Sequence, residues 1–381
     1  MKIALVRARY NAFGGAERFA ARTLAALGAG TDGALDLAVI AREWRAEGAG
    51  QATRLIRCDP FYVGSVWRDA GFARAVRARL RREHFDLVQS HERIAGLPLY
   101  RAGDGVHAAW LERRARAGGV ATRVAIALNP HHRYLVATER AMFEHPDLRA
   151  VICNSHMVRH EIAERFAIAN DKLVLVRNGV DLHRFHPDAR AVHRQAMRTK
   201  LDVPPGARVL LVVGSGFERK GVRVALHAMQ GIDGAVLVVV GGDKHAGDYH
   251  AEAARCGVAG RTRFVGPVAD PLPYYAMADL FVLPTLYDPF PNAALEALAC
   301  GVPLVTTDAC GAAELVDARI GRVVPVDDAP ALSEAIRSLL AADAPQWQAM
   351  SHAARGAAEP HSLAALSSAL LLLYQRLLAV R

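Results

Sequence analysis

Two adjacent cations close a glycine-rich run, Val213-Gly214-Ser215-Gly216-Phe217-Glu218-Arg219-Lys220-Gly221, which follows an apolar stretch and precedes a helix-length segment. Glycines at a strand-to-helix turn let the backbone approach a ligand closely, and the amides of the following helix point at an anion. With Arg219 and Lys220 beside them, the loop has the parts needed to neutralise a diphosphate, each charge-assisted contact contributing about 1.5–3 kcal/mol. Arg219 stands where a dinucleotide fingerprint has its third glycine, and no Gly-Lys-Ser/Thr follows as in a P-loop. A solvent-exposed loop with incidental charge is the alternative.

A second stretch, Tyr287-Asp288-Pro289-Phe290-Pro291-Asn292-Ala293-Ala294-Leu295-Glu296, places one carboxylate in a proline-rich loop and another one turn into the helix that begins near Asn292. Carboxylates at the carboxyl end of an α/β sheet accept hydrogen bonds from sugar and ribose hydroxyls. A helix-dipole partner and a surface glutamate are the alternative. A third stretch, Phe13-Gly14-Gly15-Ala16-Glu17-Arg18, repeats the glycine turn after the first apolar run, Ile3–Val6.

The elements that must hold these residues are visible as short Val/Ile/Leu runs alternating with helix-length segments, the mark of parallel sheets covered on both faces. In the first half the expected strands are Ile3–Val6, Leu35–Ile40, Arg54–Arg57, Leu87–Gln89, Ala150–Cys153 and Leu173–Val176. The second half restarts the pattern at Val209–Val213, Val236–Val240, Phe264–Gly266, Leu280–Leu283, Leu304–Thr306 and Val323–Pro325. At 381 residues the chain accommodates two α/β domains. The turn-rich segment Arg177–Pro187 marks the boundary, giving a first domain over 1–177, a second over 178–359, and a C-terminal helix over 360–381 that packs back on the first.

Composition narrows the class. With 52% hydrophobic and 22% charged residues, the chain is neither disordered nor fibrous. The net charge of +9 sits in the first half: residues 1–180 hold 28 Lys and Arg against 18 Asp and Glu, whereas residues 181–381 hold 19 against 20. An anionic partner or a codon bias toward arginine both account for that excess. In residues 67–82, Trp67, Phe72, Val76 and Leu80 keep helical spacing among six arginines, which reads as a surface helix packed on the sheet or as a face for an anionic membrane. The five cysteines form no ligand cluster and suit a reduced, cytoplasmic setting. The run Met1–Val6 is too short before Arg7 and Arg9 to be a signal peptide, and Ser362–Val380 carries enough polar residues to read as an amphipathic helix rather than a span.

Taken in this order and spacing, the three stretches resemble the family 4 retaining glycosyltransferases of GT-B fold, in which two Rossmann-like doubly wound domains face a central cleft. Within the family, Phe13–Arg18, Gly214–Val222 and Ala95–Asp104 are similar to segments of lipopolysaccharide core glucosyltransferases. The resemblance implies that Arg219 and Lys220 hold the donor diphosphate, that Glu296 binds ribose hydroxyls, and that Asp288 faces the donor sugar. It extends the donor set to Gly14, Gly15, Gly214, Gly216, Asn292 and Ala293, and makes Asp104 an active-site acid that orients or deprotonates the acceptor hydroxyl. The activity implied is metal-independent and cofactor-free transfer of a hexose, glucose, from a UDP-sugar to a lipopolysaccharide inner-core heptose at the cytoplasmic face of the inner membrane, with no nucleic acid as partner.

One position departs from the pattern. Residue 288 is Asp where the family has Glu, about one methylene shorter, so either the loop moves inward or the sugar contact changes. His107 is a second candidate for the polar group over the acceptor. The alternatives are a GT-B transferase with another donor or another glycan or lipid acceptor; a nucleotide-sugar epimerase with the same diphosphate grip, for which no acid/base pair is evident; a dinucleotide-dependent oxidoreductase, suggested only by Gly214-x-Gly216 with Asp243 as its acid, against which Arg219 and Lys220 argue; and a nucleotide-sugar sensor that transfers nothing.

Overall fold

The computed structural model describes residues 1–10, 36–44 and 53–379. Contacts divide the chain into two units, Met1–Asn178 together with Leu363–Arg381, and Gly179–Ser362. Each is built on one parallel sheet.

In the first unit the sheet strands are β1 (Lys2–Val6), β2 (Asp36–Ala41), β3 (Thr53–Arg57), β4 (Leu87–Ser90), β5 (Leu99–Arg101), β6 (Ala150–Cys153) and β7 (Leu173–Leu175), in the spatial order β3-β2-β1-β4-β5-β6-β7. Strand β5 has no counterpart among the expected runs. It is three residues long and follows Pro98, so it offers too few positions for a periodicity to register.

Alternation along each strand sends side chains to two separate cores. Ile3, Leu5, Leu37, Val39, Leu87 and Leu99 meet Leu366, Leu370, Leu373 and Tyr374 of the helix Leu363–Ala379. Ala4, Val6, Ala38 and Ile40 meet Phe72 and Val76 of the helix Gly64–Arg82 on the other face. The Tyr374 hydroxyl donates to Gln89 Oε1 at 2.8 Å, satisfying a buried amide in β4. Trp67 shares the helical spacing of Phe72 and Val76 yet stays about half exposed, one turn before the sheet is reached.

The second unit repeats the plan with β8 (Arg208–Val213), β9 (Ala235–Val240), β10 (Thr262–Gly266), β11 (Leu280–Leu283), β12 (Leu304–Thr307) and β13 (Gly321–Val324), ordered β10-β9-β8-β11-β12-β13. Val209, Leu211 and Val213 face one core while Leu210 and Val212 face the other, which is why these strands read as unbroken apolar runs. Strand β8 pairs in parallel with both β9 and β11, so the order reverses at β8. Crevices outside the carboxyl ends of strands at such a switch point are where open α/β sheets bind ligands. The loops leaving β8 and β11 carry the cations and the carboxylates singled out above.

Among the described residues no helix is long and apolar enough to cross a membrane. Leu363–Ala379 instead spends its apolar side on the first unit's core, where Leu370 is fully buried. Leu370→Ala is expected to destabilise that unit by about 2–5 kcal/mol, read as a lower urea midpoint.

Candidate functional site

The site in the second unit starts from backbone that only glycine accepts. Gly214 leaves β8 at φ 152°, and a Cβ there would lie 2.5 Å from Lys220 Cε. Gly221, at φ 71°, closes the short helix Phe217–Lys220, and its Cβ would fall on the Pro284 carbonyl oxygen. The turn between them is tied to the neighbouring strand's loop: Gly214 N donates to Val240 O at 2.8 Å and Gly216 N to Gly242 O at 3.1 Å. Asp243 Oδ2 accepts from Phe217 N at 2.7 Å and so caps the short helix, which accounts for this acid locally without a ribose.

That short helix is also bound to the loop after β11. The Arg219 carbonyl accepts from Leu286 N at 2.9 Å and from Thr285 Oγ1 at 2.6 Å. The consequence is that Asp288 comes to the cations. Its Oδ2 accepts from Lys220 Nζ at 2.6 Å and from Arg219 Nη1 at 3.0 Å. Asp288 is held in turn by its own backbone, which donates to Ala309 O and accepts from Gly311 N. Lys220 is 6% exposed and Asp288 5%, whereas the Arg219 side chain is 38% exposed.

The electrostatics follow from three charges on one oxygen. Burial pushes the Asp288 carboxyl up, and Lys220 and Arg219 together outweigh it, holding the group below the usual carboxylate range. Burial pulls the Lys220 ammonium down, with Asp288 opposing and Arg219 reinforcing. Two cations share one carboxylate, so this corner carries an excess positive charge at the edge of a buried sheet. Such a corner is complementary to an anion.

Glu296 lies in the helix Asn292–Ala299, nearly buried, and its Oε2 accepts from the Tyr275 hydroxyl at 3.0 Å. Asn292 and Ala293 open that helix, half-buried, behind Pro291. Tyr275 was not among the residues that sequence reasoning singled out; it comes from the helix Leu272–Met277, and a tyrosine in an apolar segment gives no sign of its partner.

In the first unit, Asp104 sits in the turn after β5 with its side chain about half exposed, 3.5 Å from Arg7 Nη1 at the end of β1. Arg7 was also missed, although a cation directly after the first strand was a legible signal. His107 is engaged: its ring lies 3.1 Å from His132 Nδ1, and burial first, then Arg93 and His132, pulls its pKa down to about 3. Its backbone N–H donates to the buried Glu139, which also receives Arg93. Gly14 and Gly15 lie outside the described residues.

Residues 13–184 match the family described as Glycosyltransferase Family 4, and residues 207–342 match Glycosyl transferases group 1. The lipopolysaccharide core biosynthesis glycosyltransferase LpsE of Rhizobium meliloti is 34% identical over 145 residues, 38% of this chain and 43% of that protein, so the match spans less than half of LpsE. The lipopolysaccharide glucosyltransferase WaaG of Escherichia coli is 26% identical over 333 residues, 85% of each chain. The crystal structure of WaaG superposes with a TM-score of 0.83 at 25% identity, covering 98% of this chain and 99% of that one. With its two parallel-sheet units and both halves matched, the chain belongs to the family 4 glycosyltransferases of GT-B fold.

Proposed function

We propose that the chain moves glucose from UDP-glucose onto a heptose of the lipopolysaccharide inner core, with retention at the anomeric carbon. The observation that carries the donor half of this reading is the excess cation at Arg219, Lys220 and Asp288. As the bond from the anomeric carbon to the diphosphate oxygen breaks, negative charge accumulates on the leaving group, and preorganised cations stabilise it. The acceptor oxygen forms the new bond on the same face, and its proton passes to the departing phosphate. Arg219 and Lys220 supply the positive charge, so the proposal calls on no metal ion or cofactor.

Asp288 faces the donor sugar with the oxygen that the two cations leave free, and Glu296, oriented by Tyr275, receives the ribose hydroxyls. Gly214, Gly216, Asn292 and Ala293 give the ligand close access to backbone, and the family resemblance adds Gly14 and Gly15 to the donor set. Asp104 is the acceptor-side acid, with Arg7 Nη1 3.5 Å from its carboxylate. The acceptor class rests on the names of LpsE and WaaG, both lipopolysaccharide enzymes.

A cytoplasmic enzyme with this acceptor meets its substrate at an anionic membrane face. Phe61, 77% exposed, packs edge-on against Trp67 at 5.8 Å between ring centres, at the start of the arginine-rich helix Gly64–Arg82. Nothing in the helix Val120–Leu128 is buried, and Val120, Val124 and Leu128 recur every four residues along it. Apolar side chains beside arginines are what an interfacial surface requires.

Three outcomes test the reading. Lys220→Ala and Arg219→Ala are each expected to lower kcat for transfer from labelled UDP-glucose by ~10²–10³ without loss of fold; normal transfer by both would remove the active-site assignment. Because its folded pKa is lowered, Asp288 contributes stability that is complete above its ordinary value near ~3.9 and is lost as pH falls through the folded value. The gap in Tm between wild type and Asp288→Asn is therefore expected to be widest at neutral pH and to shrink in acid. In flotation with acidic vesicles, binding is expected to weaken as salt rises and to fall in Phe61→Ser/Trp67→Ser; binding that ignores salt and both substitutions would rule out this face.

A further inference from the structure

Among the described residues, one titratable cluster outside the site has the chemistry of a metal-ligand set. His227 in the helix Val222–Ala228, Glu252 in the helix Ala246–Arg255, and Cys256 at the C-cap of the latter bring an imidazole nitrogen, a carboxylate oxygen and a thiol sulfur within 4.8 Å of one another. The spacing of four places Glu252 and Cys256 on one helix face, and the two helices pack together. His227 Nε2 already lies 2.5 Å from Glu252 Oε1. A tetrahedral ion with bonds of about 2.0–2.3 Å holds its ligand atoms roughly 3.3–3.8 Å apart, so closure asks for side-chain rotation and leaves the helices in place. Imidazole, thiolate and carboxylate together suit Zn2+ and disfavour Mg2+.

Two arginines compete for the carboxylate. Arg255 bonds Glu252 Oε2, and Arg223 Nη1 lies 3.9 Å from it. Their side chains are 68% and 57% exposed, so both have room to turn into water when a dication takes the carboxylate. Cys256 is half-buried, whereas Cys58, Cys153, Cys300 and Cys310 are buried.

We propose that His227, Glu252 and Cys256 bind one Zn2+ ion, with water as the fourth ligand, and so clamp the helix that follows Gly221 to its neighbour. As the sulfur–zinc bond forms, the Cys256 thiol gives its proton to solvent. The site shares no residue with Arg219, Lys220 and Asp288, and it stands whatever sugar is transferred.

The test titrates Zn2+ into the full-length, reduced, chelator-stripped protein by calorimetry in two buffers of different ionisation heat, while a thiol reagent follows Cys256. One equivalent bound, about one proton released, slower Cys256 labelling and no response to Mg2+ are expected. His227→Ala and Cys256→Ser, both at positions that reach solvent, are expected to weaken binding by more than roughly tenfold. Equal affinity in wild type and both variants, or saturating Zn2+ that leaves Cys256 labelling unchanged, overturns the site.

Discussion

One carboxylate oxygen organises the second unit's site. Asp288 Oδ2 receives both Lys220 and Arg219, and two of these three groups are almost wholly out of water. A lysine buried without its counter-ion would shed its proton or pull the loop open, because desolvation penalises the charged form heavily. Asp288 opposes that effect on Lys220. The cost is a polar cluster in a position that a purely structural protein would fill with apolar side chains.

The surrounding geometry follows from keeping three charges within hydrogen-bond reach. Lys220 lies against Gly214, so residue 214 has no room for a side chain. The helix carrying the cations is four residues long, too short to persist alone, and it is fixed by Asp243 at its start and by Thr285 and Leu286 on the Arg219 carbonyl. Loops after β8, β9, β11 and β12 therefore form a single network at one sheet edge. Hydrogen bonds fix the cations in place before any ligand arrives, the arrangement that electrostatic preorganisation requires.

The second unit was legible because its strands are buried on both faces, so Val209–Val213 and Val236–Val240 announce themselves as apolar runs. Arg219, Lys220, Asp288 and Glu296 stood out because charge shortly after such a run, in the turn or in the first turns of the next helix, is conspicuous. What stayed hidden depends on long-range approach. The bond from Tyr275 to Glu296 joins two elements whose local patterns are apolar, and the three-residue strand β5 exists only because β4 and β6 flank it. Glu139 is hidden for the same reason: a charged residue inside an exposed-looking helix, it becomes the fully buried partner of Arg93 and of the His107 amide.

The shorter side chain at 288 also acquires a physical account. The sequence left two possibilities, an inward loop or an altered sugar contact. The loop after β11 is tied to the Arg219 carbonyl by Thr285 and Leu286 and to Ala309 and Gly311 through the Asp288 backbone, and from there the aspartate reaches both cations. The two cations then differ in what they are free to do. Lys220, buried and packed on Gly214, has no alternative position without unpacking the turn, whereas Arg219 is more than a third exposed and carries a planar fork suited to two phosphate oxygens at once. In the proposed reaction, a diphosphate competes with Asp288 for Arg219 far more easily than for Lys220. The lysine thus acts as a fixed point charge and the arginine as the group that changes partners, a division that exchanging the two residue types would destroy.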